Sequence, residues 1–192
     1  MIQVISITIN AVNLYLLDTG ACRFLIDTGF PGSMPALGRA LRQYGLKVRN
    51  IDYVMVTHFH IDHAGSLQEL KDEGVRAMVV DVQQPFIAPM EHMAAGKWPY
   101  RPLRCDDNML ISATDARNFL AGIGIMGNII PVSVHSEDSV CMLLDMGAVF
   151  TGDLPAPALA TAYGTAAEAT WHMLKEMGAN TVYPGHGQAY IL

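Results

Sequence analysis

The alternation of apolar and polar residues divides the chain into strands and helices that occur twice in a similar order. Three strands are predicted first, at residues 2–9, 12–18 and 21–27, and the turn between the first two falls at positions 10 and 11. A helix with apolar residues spaced three and four apart begins after Ser33. A continuous apolar run at residues 53–56 then predicts a strand that is buried on both faces.

The second half of the chain repeats strands followed by a helix. Its strands are predicted at residues 129–138, 140–144, 148–151 and 181–183. A helix is predicted between the last two of these strands, from about residue 165 to 177. This order predicts an α/β protein in which two sheets pack face to face with helices outside. The length of 192 residues suits a single domain, residues 1–192, made of two similar halves.

Residues 81–127 interrupt this pattern. Prolines break the strand periodicity there, and the segment is irregular and rich in aromatic and methionine side chains. Helices are predicted around residues 84–95 and near residues 114–121. The segment either packs on the sheet, covers a site or pairs with a second copy in a homodimer. Three of its side chains are candidate substrate contacts: Trp98, Tyr100 and Arg117.

Composition narrows the classes of function. A hydrophobic content of 51% allows a sizeable core, and a formal net charge of −6 argues against a nucleic-acid partner, which needs a basic face. Cys22, Cys105 and Cys141 show no pairing pattern, which favours a reducing compartment. No apolar stretch is long enough to span a bilayer, and the first residues carry no cleavage signature. We therefore expect a cytoplasmic protein without a membrane partner.

The highest density of histidine and aspartate side chains follows the buried strand at residues 53–56. His58, His60, Asp62 and His63 lie within six positions of one another. In an extended backbone His58 and His60 point to the same side. Asp62 and His63 open a predicted helix at residues 64–73, whose N-terminal turn favours a carboxylate. Imidazole nitrogens and carboxylate oxygens that converge on a strand end are the donors that a divalent metal requires.

Three further donors, His135, Asp153 and His186, each follow a predicted strand end in a loop with Gly, Ser or Pro. Alone, each is more typical of a structural residue. Together with the first cluster they make seven candidate ligands, whereas one tetrahedral structural zinc needs four, so the set fits two neighbouring metals. Asp27 ends a predicted strand in a Gly- and Pro-containing turn; it either orients a metal ligand by a hydrogen bond or serves as a turn residue.

The ordered set of motifs resembles the metallo-β-lactamase superfamily of metal-dependent hydrolases. The resemblance covers most of the chain and rests on these motifs: Asp27-Thr28-Gly29, Thr57-His58-x-His60-x-Asp62-His63-x-Gly65, His135-Ser136-x-Asp138-Ser139, Thr151-Gly152-Asp153 and Pro184-Gly185-His186. It implies a four-layer αββα sandwich with the site at one edge of both sheets. It also implies two metal positions: metal 1 at His58, His60 and His135, and metal 2 at Asp62, His63 and His186, with Asp153 as the bridge.

Three departures refine the resemblance. Val134 stands where members often have glycine, no cysteine occupies a ligand position, and His60 is not a glutamate. This pattern resembles the broad hydrolase branch rather than the true β-lactamases or the di-iron flavoproteins. We expect a binuclear hydrolase in which a metal-bridged hydroxide cleaves a small ester, thioester or lactone, with Asp62 and Asp153 as catalytic residues. Zinc is the expected metal at both positions, and manganese and iron are the alternatives.

Three other functions stay open at this point. A phosphodiesterase or nuclease would use the same metals but would need a basic groove. An iron-dependent persulfide oxygenase would hold one iron at His58, His60, His135 and Asp153. A non-catalytic metal- or ligand-binding module is the alternative from outside enzymology, although binding alone rarely needs two open metal positions.

Overall fold

The computed structural model describes residues 2–192, in which two sheets form. The first sheet has six strands in the spatial order β1 (Gln3–Ile9), β2 (Val12–Asp18), β3 (Arg23–Ile26), β4 (Tyr53–Met55), β5 (Arg76–Val80) and β6 (Met109–Ile111). The second sheet, given in chain order, contains β7 (Gly127–Pro131), β8 (Val140–Leu144), β9 (Ala148–Gly152), β10 (Thr181–Pro184) and β11 (Tyr190–Ile191). Its spatial order is the reverse, from β11 to β7.

Helices connect these strands. The α-helices are α1 (Met34–Arg42), α2 (Ile61–Ala64), α3 (Leu67–Asp72), α4 (Ile87–Ala94), α5 (Ala116–Gly122), α6 (Ala160–Tyr163) and α7 (Thr165–Glu176). Short 3₁₀ helices occur at Val48–Asn50, Asp81–Phe86 and Pro157–Leu159. Within residues 2–192, none of the helices is long and apolar enough to cross a membrane.

Three buried cores separate four layers. The core on the outer face of the first sheet contains Leu37 of α1 and Leu70 of α3. The core between the sheets joins Phe24 of β3 to Phe150 of β9. The core on the outer face of the second sheet contains Trp171 of α7. Because side chains alternate along a strand, each sheet supplies residues to two cores, and the predicted αββα sandwich is confirmed.

The site edge of the sandwich is set by strand direction. β3 and β4 are parallel in the first sheet, and β9 and β10 are parallel in the second, so the loops that leave their carboxyl ends gather at one edge. The sheets meet there through a hydrogen bond from the Val140 N–H to the Thr57 carbonyl, at 2.8 Å. Gly152 permits this approach, because its φ is +51° and an added Cβ would lie 2.5 Å from Thr57 Oγ1.

The structure differs from the sequence prediction in several short elements. One continuous helix was expected at residues 64–73, but it is divided into α2 and α3. The division occurs because the Ser66 N–H donates to Thr28 Oγ1 and is lost to the helix. The strand β6 inside the irregular segment 81–127 was missed, as was β11, since two or three residues carry too little periodicity to identify a strand. The helices predicted in that segment are present as α4 and α5.

Candidate metal centre

Three histidines form the first donor group: His58, His60 and His135. His58 and His60 lie in the loop between β4 and α2, and His135 lies in the loop after β7. His60 Nδ1 is 3.0 Å from His58 Nε2 and 3.1 Å from His135 Nε2. One ring nitrogen from each residue lies within 4.8 Å of the others. Two segments separated by more than seventy residues thus point three imidazole nitrogens at one space.

The second donor group contains Asp62, His63, Asp153 and His186, whose donor atoms also lie within 4.8 Å of one another. His63 Nε2 is 3.2 Å from Asp153 Oδ1 and 3.5 Å from Asp62 Oδ2. His186 Nε2 is 3.4 Å and 3.3 Å from the same two oxygens. The other oxygen of Asp153, Oδ2, is 3.6 Å from His135 Nε2. The Asp153 carboxylate therefore stands between the two groups, as the resemblance implied.

Hydrogen bonds on the outer side of three rings fix which nitrogen of each ring faces the cluster. The His186 Nδ1–H donates to the Ala11 carbonyl at 2.8 Å, because a carbonyl can only accept. His63 Nδ1 is 2.9 Å from Asp27 Oδ2, which likewise accepts. Thr57 Oγ1 donates its proton to Asp27 and so accepts from His58 Nδ1. All three rings therefore donate through Nδ1 and turn Nε2 towards the cluster, where it is placed to bind a metal.

Two buried atoms in the second donor group have no hydrogen-bond partner. They are His63 Nε2 and Asp153 Oδ1, which face each other at 3.2 Å without hydrogen-bond geometry. A buried polar atom without a partner costs about 1–3 kcal/mol, so native proteins rarely keep one unless a ligand or an ion completes it. An imidazole nitrogen and a carboxylate oxygen share preference for a divalent cation. The residues present therefore fit a divalent metal ion.

The electrostatics of the chain favour positive charge at His63 of the second group and disfavour it at His58 of the first. Burial lowers the pKa of His58 well below its ordinary value, and neighbouring histidines lower it further. Burial also lowers the pKa of His63, but the carboxylates of Asp27 and Asp153 outweigh it and raise the pKa to about 10. Burial alone would raise the pKa of Asp153, yet His63 and nearby histidines hold it well below the ordinary value. The carboxylates of Asp27 and Asp153 therefore favour a bound cation in the second donor group electrostatically.

Asp27 was left open between an orienting residue and a turn residue, and its contacts give it the orienting geometry. Its side chain is buried, and its φ is +63°, which is uncommon outside glycine. The carboxylate accepts from the Thr57 N–H at 2.7 Å and contacts His63 Nδ1. It therefore holds the end of β4 and the ring of His63 in one arrangement.

Asp138 joins the two loops that carry the first donor group. Its side chain is 2% exposed, and Oδ2 accepts from the Phe59 N–H at 2.6 Å, between His58 and His60. Its Oδ1 accepts from Ser136 Oγ at 2.7 Å, directly after His135. The sequence prediction named Asp138 only within a motif and gave it no role.

Asn13 fixes the loop that carries His186. Its amide donates to the carbonyls of Pro184 and Gly187, at 2.9 and 2.7 Å. The hydroxyl of Tyr15 also donates to the Pro184 carbonyl, at 2.7 Å. The sequence prediction missed Asn13, although a polar amide in a strand that is otherwise apolar was a usable signal.

A cavity of about 340 Å³ opens beside both donor groups. His135, Asp153 and His186 form one wall. The rest of its lining comes from Gly152, Leu154, Ala156, Tyr163, Pro184, Gln188 and Tyr190. A substrate in this cavity would meet the reacting centre directly.

The three predicted substrate contacts do not line this cavity in residues 2–192. Arg117 forms an exposed double hydrogen bond with Asp145, which follows β8. Tyr100 packs against the outer core of the first sheet and contacts Glu91. Trp98 is partly exposed after α4. The structure thus brings all seven candidate ligands together but places these side chains in other contacts.

Comparison with known proteins agrees with the fold and the motifs. A sequence model of the metallo-beta-lactamase superfamily matches residues 7–82. The structure superposes on a metallo-beta-lactamase family protein from Thermus thermophilus with a TM-score of 0.77, at 18% identity, over 99% of this chain and 74% of that one. Residues 7–82 thus match the metallo-β-lactamase superfamily, and the whole chain has the metallo-β-lactamase fold.

Two curated relatives align with nearly the whole chain. A beta-lactamase-like protein 2 homolog from Caenorhabditis elegans is 25% identical over 186 residues, which are 94% of this chain and 57% of that protein. The thioesterase pkgB from Emericella nidulans is 26% identical over 194 residues, 97% of this chain and 48% of that protein. The chain thus spans about half the length of the curated relatives it matches.

Proposed function

We propose that this chain is a binuclear metal-dependent hydrolase that cleaves a small ester, thioester or lactone. The observation that carries the proposal is the pair of donor groups, which share Asp153 and open on a cavity. Similarity to a thioesterase over most of the chain supports the ester or thioester class. Zinc is the proposed metal, because the donors are imidazole nitrogens and carboxylate oxygens.

The seven donor residues would form two cation sites. His58, His60 and His135 would hold one cation, and Asp62, His63 and His186 the other, with Asp153 between them. When bound, divalent cations supply Lewis acidity: they polarise a carbonyl oxygen and lower the pKa of water from 15.7 towards about 7.

Asp62 and Asp153 are the candidate catalytic residues of the chain itself. Asp62 is 21% exposed at its side chain, so it can reach water that enters the cavity, while its Oδ2 contacts His63 and His186. A carboxylate in this position can accept the proton of an attacking water and return it to the leaving oxygen or sulfur. The pKa of Asp153 is held well below its ordinary value, so this side chain stays ionised and does not carry protons.

The other candidate functions receive less support from the site. A phosphodiesterase or nuclease needs cationic side chains along its substrate, but within residues 2–192 no Lys or Arg lines the cavity beside the donors. A single-iron oxygenase would use the first donor group with Asp153 and leave Asp62, His63 and His186 without a purpose. A non-catalytic binding module would rarely need two adjoining donor groups.

Metal analysis combined with substitution tests the proposal. We expect two divalent cations per chain by mass spectrometry, and hydrolysis of a generic thioester or lactone in preference to bis(p-nitrophenyl) phosphate. His60→Ala should lower both metal content and turnover. His172→Ala is the matched control, because His172 is exposed on α7 and contacts only Glu176 among the charged groups of the described chain. Full activity and unchanged metal content in His60→Ala would refute the assignment, and one iron per chain would favour oxygen chemistry.

A further inference from the structure

The cavity beside the donor groups is uncharged apart from the donors themselves. Its remaining wall is formed by aliphatic, phenolic and amide groups, among them Leu154, Ala156, Tyr163 and Gln188. Burial raises the pKa of Tyr190, so this phenol is neutral at physiological pH. A phosphate or carboxylate on the substrate would leave water here without gaining a cationic side chain of the described chain, which is costly.

A second groove of about 380 Å³ borders this cavity on the side of β11. Ala156 and Tyr190 line both spaces. The additional wall is mostly apolar, with Pro157, Ala158, Ile191 and Leu192. Lys175 of α7 also borders the groove; a lysine can line apolar surface with its carbon stem while its ammonium stays in water.

Basic side chains gather at a different place on the molecule. Arg42, Lys47 and Arg49 line a separate cavity between α1 and the 3₁₀ helix Val48–Asn50. None of the three takes part in an ion pair within residues 2–192. The charge of the chain is therefore not arranged to hold an anionic group beside the metal ligands.

We propose that the substrate carries an uncharged, apolar tail that passes between Ala156 and Tyr190 into this groove. The inference rests on the proposed function and names its substrate class: an acyl ester, thioester or lactone whose reacting carbonyl faces the donor groups and whose chain lies along the groove. The adjacency of the two spaces, which share Ala156 and Tyr190 as lining residues, carries the assignment. Tyr163, which is 59% exposed on α6, borders the entrance.

Binding of a homologous series tests the tail without requiring turnover. The probes are acetohydroxamic, butanohydroxamic, hexanohydroxamic and octanohydroxamic acids, whose head group is neutral when free at pH 7 and releases its proton to the buffer when it chelates a divalent cation. Isothermal titration of the metal-loaded full chain should show Kd falling about two- to fourfold for each added methylene, since a fully buried methylene contributes about fourfold. Ala156→Phe narrows the passage and should remove most of the gain between the four- and eight-carbon probes.

The matched control is Ala121→Phe, which adds the same ring to an exposed position on α5. It should retain the dependence on chain length. A Kd that does not change with chain length, or a gain that survives in Ala156→Phe, would overturn the inference. Turnover of thioesters by the same preparation is measured separately. Absence of turnover with a steep chain-length series would count against hydrolysis alone, and turnover with a flat series would count against the tail alone.

Discussion

Removal of the Asp138 carboxylate should weaken both the fold and the first donor group. In Asp138→Ala the buried Phe59 N–H loses its acceptor, which costs about 1–3 kcal/mol. Ser136 Oγ also loses a partner but keeps Ser139 Oγ at 2.8 Å, so its loss adds about 1 kcal/mol. The total of about 2–4 kcal/mol is a large share of the stability of a single domain. Asp138→Asn retains an acceptor for Phe59 and should cost about 1 kcal/mol.

Urea unfolding of the metal-free protein measures the stability, and competitive titration with a chelator measures metal affinity. We expect metal affinity to fall in the order wild type, Asp138→Asn, Asp138→Ala, because Phe59 lies between two donors and Ser136 follows the third. Asp106→Ala is the control, since Asp106 is exposed and should shift stability by less than about 0.5 kcal/mol. If Asp138→Ala unfolded at the urea concentration of the wild type, or if both variants lost the same stability, the bridging role of this carboxylate would be wrong.

Three further outcomes follow from the site. Gly185→Ala should lower the free energy of unfolding by about 1–3 kcal/mol and reduce metal content, because the added Cβ would lie 2.6 Å from Asp153 Oδ1. Gly122→Ala is the control, since nothing lies within 4 Å of a Cβ added there. Equal metal content in the two variants would contradict this packing argument. Asn13→Ala should weaken the second metal more than the first, since it releases the loop of His186. Zinc at about one hundred times its Kd should raise Tm by about 5–10 °C, and no shift in a thermal melt would argue against coupling of metal to fold.

The fold was predictable because its long strands and helices carry clear periodicity. The strands β1 and β2 show this well: alternate residues of both face different cores, and positive φ at Asn10 and Ala11 forms the two-residue hairpin turn expected there. Short elements such as β6 were not predictable, because three residues hold little pattern.

The sequence predicted which donor residues lie together in the candidate site, but not the residues whose hydrogen bonds hold their loops in place. Several imidazole and carboxylate groups at strand ends indicate metal binding by residue type alone, before the tertiary structure is known. Asp138 and Asn13 act through hydrogen bonds to backbone groups distant in sequence; the amide of Asn13 in an apolar strand marks that residue, but the sequence does not identify the partners of either side chain. The substrate contacts at Trp98, Tyr100 and Arg117 were chosen for their bulk or charge, whereas the cavity wall comes mainly from loops near β9 and β10.

The contact between Ala11 and His186 has a consequence for the order of folding. The carbonyl of an early hairpin turn holds a ring that lies 175 positions later in the chain. Contacts of such long sequence separation carry a large loop-closure entropy and form late on the way to the native state. During synthesis on the ribosome, the first donor group would therefore be complete before His186 joins the second. A metal ion that arrives early would find only the first group ready to bind it.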